Sequence, residues 1–327
     1  MSKSNVVTSA TLRDKPACAM LFPGQGSQCV GMGKALFAHK SSRLVFEEVE
    51  SVLGDALGAP LTSIMFEGPE DKLRLTTNAQ LALMATSIAC LRLMQDKGFD
   101  MQHVHLMAGH SLGEITALCA SGVLSLSDTT RLLRVRSLAM QEADPKREGA
   151  MTAILGLEHD AFADMPHTEG KACVIANDNG AGQVVISGHK EAVFKATVWA
   201  KEKKARCIPL PVAGAFHSPL MTDAAKTLSR FLKTLTFHKP RVPLMMNFSA
   251  TLEDDPVRIK QNIDTQMTGQ ILWRTSMDAM KKLGIMRFIE VGSGRVLSTL
   301  ARRHMKTCET FAIATPDAID AFLQEDA

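Results

Sequence analysis

The sequence predicts an α/β fold in which a parallel sheet is covered by helices and a small α+β unit is inserted near the middle of the chain. Three observations carry this. Strand-like and helix-like segments alternate from Ala17 to about Gln141, the arrangement of helix-covered parallel sheets. Near Asp144-Pro145 the pattern changes to short strands with two intervening helical stretches, the order of a ferredoxin-like unit. The chain then returns to helix over 219–235 and to a strand at Arg287-Phe288-Ile289-Glu290-Val291.

Taken in order, Ala19-Met20-Leu21-Phe22 reads as a short buried strand. It ends at Pro23-Gly24-Gln25-Gly26-Ser27-Gln28, where glycines let backbone approach a ligand closely. This loop lacks the G-x-G-x-x-G fingerprint, so no nicotinamide cofactor is expected. The longest apolar run, Leu81 to Leu91, is broken by Thr86 and Ser87 and is too short to span a bilayer. Val104-His105-Leu106-Met107-Ala108 alternates like a strand, and Ile115 to Ala120 is rich in helix formers. A helix is expected over Thr129–Gln141. In the insertion, Met151–Leu155, Cys173–Ala176, Gln183–Ser187 and Cys207–Leu210 read as strands, with a helix from Lys190 to Lys204 before the last. The expected division is a flexible tail over 1–16, a large subdomain built from 17–143 and 212–327, and a small one over 144–211.

Composition narrows the class. The chain has 327 residues, 46% hydrophobic and 22% charged, enough for a sizeable core. A net charge of +3 is too small to imply nucleic acid. Seven cysteines, at 18, 29, 90, 119, 173, 207 and 308, form no C-x-x-C pair. They fit reduced, mostly buried thiols in an intracellular protein, not a disulfide frame or a zinc site. The first 16 residues are polar and Ser/Thr-rich without an apolar core, unlike a secretory signal. The expectation is a cytoplasmic monomer that binds neither nucleic acid nor membrane.

The most informative segment is Gly109-His110-Ser111-Leu112-Gly113, a G-x-S-x-G pentapeptide between a strand and a helix. A serine on such a turn stands clear of the sheet, and N–H groups at the helix start face the place where an oxyanion would form. Ser111 and Glu114 also have capping-box spacing, which needs no chemistry. Arg136 lies on the apolar stripe of its helix, at offsets of three and four from Leu132, Leu133, Ala139 and Met140. An inward guanidinium needs an anion, either an internal carboxylate or a substrate carboxylate held bidentately. His217, in Gly214-Ala215-Phe216-His217-Ser218-Pro219, is a candidate base for the serine, or one ordinary histidine among ten. His110 adjoins the serine, but neighbours on a tight turn point apart. No acidic residue between Ser111 and His217 has a setting that marks it as a third triad member. Lys201, Lys203, Lys204 and Arg206 form a basic run, which is either a solvated helix face or a docking patch.

Six segments occurring in order carry a resemblance. They are Pro23 to Gln28; Gly109 to Glu114; Arg136 with Met140-Gln141-Glu142; Gly182 to Lys190; Phe216 to Met221; and Glu290-Val291-Gly292-Ser293-Gly294. Together they resemble the bacterial malonyl-CoA:acyl carrier protein transacylases, the loading enzymes of type II fatty acid synthesis. The likeness runs from about Cys18 to about Arg303. It implies an α/β-hydrolase-like large subdomain, a ferredoxin-like small one, and an active site between them. It implies Ser111 as nucleophile and His217 as its base, a dyad without a carboxylate, with the Gln266 carbonyl orienting the histidine. Backbone N–H groups of Gln25 and Leu112 would form the oxyanion hole, and Arg136 would hold the malonyl carboxylate. Asn177 and Asn179 match a polar loop beside the site. Phe216 matches malonyl-selective relatives, where a ring before the histidine would exclude a branched substrate; its other reading is packing at the subdomain junction. The implied reaction is ping-pong transfer from malonyl-CoA to an acidic carrier protein, with no metal, nucleotide or flavin. Two departures stand out: Ile115 replaces a common tyrosine, in a chain without any tyrosine, and the N-terminal tail is longer. The rival readings are the malonyltransferase subunit of malonate decarboxylase, a serine hydrolase of the same fold, and a non-catalytic carrier-binding module.

Overall fold

In the computed structural model the described residues are 17–144 and 146–326. The expected tail over 1–16 and Pro145 at the subdomain boundary lie outside them. The first strand, β1 (Cys18–Phe22), is followed by five helices: α1 (Lys34–Phe37), α2 (Lys40–Leu53), α3 (Leu61–Glu67), α4 (Glu70–Arg74) and α5 (Thr76–Asp96). Then come β2 (Val104–Gly109), α6 (Leu112–Ser121) and α7 (Leu126–Glu142). The expected alternation is therefore much sparser than the sequence pattern suggests, with only two strands before residue 142. Burial explains the difference. Seventeen residues of α5 are buried, so this helix is apolar nearly all round and carries no clear amphipathic period.

The insertion holds β3 (Gly149–Leu155), β4 (Cys173–Gly180), β5 (Gln183–His189), α8 (Lys190–Glu202) and β6 (Arg206–Pro209). These strands make an antiparallel sheet in the order β4-β5-β3-β6, the ferredoxin-like arrangement. Its first crossover is only a 3-10 turn (His159–Asp164). The chain continues through α9 (Thr222–Leu232), β7 (Leu244–Met245), β8 (Leu252–Glu253), α10 (Pro256–Gln266) and α11 (Trp273–Lys282). It ends with β9 (Arg287–Val291), α12 (Val296–His304), β10 (Glu309–Ile313) and α13 (Pro316–Asp326).

The large sheet runs β10-β9-β1-β2-β7-β8, parallel except for the antiparallel β7–β8 pair at its edge. Alternation along β1 sorts side chains to two faces. Cys18, Met20 and Phe22 enter the main core with α5, while Ala19 and Leu21 enter a second cluster with Trp273 and Phe288. A third cluster lies between the small sheet and α8. Strands β7, β8 and β10 had no clear signature in the sequence; two of them are only two residues long.

Candidate active site

The carboxyl ends of β1 and β2 lie side by side, with Phe22 paired to Gly109, and each opens into a loop at the site. The turn after β2 is possible only with glycine at both flanks. A Cβ on Gly109 would lie 1.9 Å from the Gly113 carbonyl carbon, and one on Gly113 would lie 2.0 Å from the Phe22 oxygen. Between them Ser111 has φ 51°, a left-handed conformation rare for a side-chain-bearing residue. That conformation is held from outside. The Asn247 side chain accepts from the Ser111 N–H at 2.7 Å and donates to the Gly109 carbonyl at 2.7 Å.

The capping-box alternative is overturned. Ser111 makes no side-chain cap bond. Its Oγ lies 2.7 Å from His217 Nε2 and accepts from Arg136 Nη2 at 3.0 Å. Glu114 turns inward instead, accepting from the Asn247 N–H at 2.6 Å and from Gln266 Nε2.

His217 also has positive φ, at 55°. Its Nδ1 is 2.9 Å from the Gln266 main-chain oxygen. A carbonyl can only accept, so the proton sits on Nδ1 and leaves Nε2 free to accept from the serine hydroxyl. Burial, followed by the Arg136 charge, holds the imidazole down at about 3, which keeps it neutral, with Nε2 unprotonated, while weakening it as a base. His110, the sequence neighbour of the serine, is engaged elsewhere. It bonds Asn179 at 2.8 Å and its ring lies against Trp273.

Arg136, on α7, is 1% exposed. Its Nη1 donates to Gln80 Oε1 at 2.8 Å and its Nη2 donates to Gln266 Oε1 at 2.9 Å. Its direct partners are amides and the Ser111 hydroxyl, and the nearest internal carboxylate, Glu114, acts on it across Gln266 without a direct ion pair. Its Nε is buried without a hydrogen-bond partner. Burial lowers the guanidinium to about 10, opposed by the charge of Glu114.

These groups open onto a cavity of about 340 Å³. Ser111, His217, Arg136, Gln25, Leu112 and Phe216 all line it. Phe216 also belongs to the main apolar core, so both readings of this residue describe its position. Gln266 does not line the cavity; it stands behind the site at the end of α10. Asn179 requires a correction. It lies on β4 and not in a loop, and it spends its amide on His110; Asn177 is the asparagine at the cavity wall. Ile115 is fully buried in the core. Three participants were missed: Gln80, Asn247 and the inward role of Glu114. Gln80 lies in an almost wholly buried helix, where a polar residue is itself a signal. Asn247 has no local motif, since its contacts span more than 130 residues of sequence.

No helix among the described residues is long and apolar enough to cross a membrane, and no group of His, Cys, Asp and Glu among them could hold a metal ion. Of the cysteines, Cys18, Cys90 and Cys119 are buried, whereas Cys29 is exposed.

The acyl transferase domain family matches residues 19–310 of this chain. The chain is 39% identical over 311 residues to the malonyl CoA-acyl carrier protein transacylase of Bacillus subtilis, covering 94% of this chain and 96% of that protein. It is 38% identical to the protein of the same description from Escherichia coli K12, covering 94% and 98%. Among solved structures, the acyl-carrier-protein-S-malonyltransferase of Bartonella henselae superposes with a TM-score of 0.90 at 44% identity, over 94% of this chain and 99% of that one. A malonyl-transacylase solved in complex with its type II PKS acyl-carrier protein gives a TM-score of 0.88 at 35% identity, over 94% and 99%.

Proposed function

The chain belongs to the acyl transferase family of malonyl CoA-acyl carrier protein transacylases, and on that premise we propose that it moves malonyl from malonyl-CoA to the phosphopantetheine thiol of acyl carrier protein through an O-malonyl-Ser111 intermediate, supplying fatty acid synthesis. One observation carries this reading. The Ser111 hydroxyl sits between His217 Nε2 at 2.7 Å and Arg136 Nη2 at 3.0 Å, so a base and a buried cation converge on one nucleophile. That arrangement suits a thioester with a carboxylate close to its carbonyl.

In the acylation step Ser111 Oγ attacks the thioester carbon while its proton passes to His217 Nε2. Main-chain N–H groups of Leu112 and Gln25 take the negative charge on the carbonyl oxygen. The tetrahedral species collapses, the C–S bond breaks, and the imidazolium returns its proton to the departing CoA sulfur. The carrier thiol then gives a proton to His217 and attacks the serine ester, and collapse returns that proton to Ser111. Arg136, at the cavity wall, binds the free malonyl carboxylate through its guanidinium. Incubation with malonyl-CoA and carrier protein tests the reading: malonyl-carrier is expected, whereas free malonate alone would indicate a hydrolase.

The basic run bears on the carrier step. Lys201, Lys203, Lys204 and Arg206 are all exposed, and strand β6 leads from them to Leu210 and Pro211 at the cavity wall. An acidic carrier would be steered there at low salt. Changing Lys201 and Lys204 to glutamate is expected to raise the KM for carrier several-fold and leave that for malonyl-CoA nearly unchanged. An unaltered carrier KM at low ionic strength would remove the idea.

Phe216 bears on acyl choice. Its ring borders the cavity immediately before His217, where it occupies space that a methyl branch at the malonyl α-carbon would need. Hydrophobic pockets distinguish one methyl by about 1–3 kcal/mol. Phe216→Ser is therefore expected to raise the methylmalonyl-to-malonyl ratio of kcat/KM by roughly tenfold or more. The same ratio in a folded variant would leave Phe216 as core packing.

A further inference from the structure

We propose that Glu114 is a positioning residue that sets the orientation of the Gln266 side-chain amide and through it aims Arg136 at the substrate carboxylate. The inference rests on the malonyl-transfer reading and extends it to a residue that touches neither substrate nor the reacting atoms.

The argument is one of hydrogen-bond polarity. Glu114 is 1% exposed, and as a carboxylate, its form above about pH 7, it can only accept. One oxygen accepts from the Asn247 N–H and the other from Gln266 Nε2. The same Gln266 nitrogen donates to the Ser111 carbonyl at 2.9 Å. Both amide hydrogens therefore meet obligate acceptors, and the amide oxygen must be the atom that faces Arg136 Nη2 at 2.9 Å. The flipped amide would set an oxygen against two acceptors and an NH₂ group against a guanidinium. With Glu114 in place, only one orientation is compatible with every neighbour.

The same relay supplies charge without contact. A carboxylate bonded directly to Arg136 would occupy the donors that a substrate carboxylate needs. Here one amide separates the two groups: Arg136 donates to Gln266, and Gln266 donates to Glu114. The glutamate charge still acts on the guanidinium across that spacer. Each member needs the other, because burial pushes the Glu114 carboxyl up to about 7 against the stabilising bonds from Asn247 and Gln266 and the charge of Arg136. Glu114 reaches the nucleophile as well, since the Asn247 main chain it holds carries the side chain that braces the Ser111 turn.

The test is Glu114→Gln, which is nearly isosteric but presents an NH₂ group. Initial rates of protein acylation by malonyl-CoA and by acetyl-CoA, followed by intact mass, read the relay; malonyl delivery to carrier by wild-type protein reads the underlying function separately. In folded Glu114→Gln the malonyl-to-acetyl acylation ratio is expected to fall at least about tenfold, because the guanidinium loses its aimed acceptor and its counter-charge. Glu114→Asp, which keeps an acceptor, is expected to recover part of the ratio. Should Glu114→Gln fail to fold, Gln266→Met removes the spacer amide while leaving the main-chain carbonyl that faces His217, and the same fall is expected. An unchanged ratio, or equal loss of both acylations, in either folded variant would overturn the proposal and leave Glu114 as part of the core.

Discussion

Ser111→Ala is expected to abolish the covalent malonyl adduct and to reduce malonyl transfer by about 10⁴- to 10⁶-fold, the scale on which removing a serine nucleophile collapses kcat. The reason is geometric. No other hydroxyl among the described residues shares the positive-φ turn, the bond to His217 Nε2 and the donor from Arg136. His217→Ala is expected to cost about 10²- to 10⁴-fold, the usual contribution of a general base, because the hydroxyl remains in place. The two losses should not add, since each removes the same proton transfer. Intact-mass spectra after mixing with malonyl-CoA check this directly, and a stable malonyl adduct on Ser111→Ala protein would sink the assignment.

Arg136→Ala is expected to have the next largest effect, and an effect that differs between substrates. Losing a charged partner of a buried carboxylate costs about 2–5 kcal/mol, or roughly 30- to 4,000-fold. Malonyl transfer should fall by that amount. Acetyl transfer should be spared or improved, because acetyl never used the guanidinium and now escapes burying it unpaired. A second readout follows from the electrostatics. The Arg136 charge is the second cause, after burial, that depresses His217. Removing it makes the imidazolium less unfavourable, so the acid limb of kcat/KM should move to higher pH in the variant. Equal loss of malonyl and acetyl transfer, with an unmoved acid limb, would instead mark Arg136 as a structural support for Gln80 and Gln266.

How much of this was legible beforehand depended on the range of the interaction. The serine turn was readable because its constraints are local: two glycines four residues apart, a strand before and a helix after. The inward arginine was readable because helical periodicity places residues three and four apart on one face. The antiparallel insertion was readable from its strand spacing, although a 3-10 turn stands where its first helix was expected. Strands β7 and β8 were not, because two residues each carry no period. Nor was Asn247, whose bonds to Gly109, Ser111 and Glu114 all reach far back along the chain. Asn179 was placed in a polar loop by the family resemblance alone, not by any local signal in the sequence. In the fold it lies on β4 at a register shift of the β4–β5 ladder, between the paired Asp178 and Gly180, with its side chain on His110.

The Ser111 turn, complete in its own sequence, depends on Gln266, 155 residues further along the chain. The carbonyl that orders His217 comes from that same distant residue. A growing chain that has passed His217 but not yet Gln266 therefore holds both members of the dyad with neither properly seated. On the ribosome, such a nascent chain should be inert toward thioesters, and competence should appear only once the segment carrying Asn247 and Gln266 has emerged and docked.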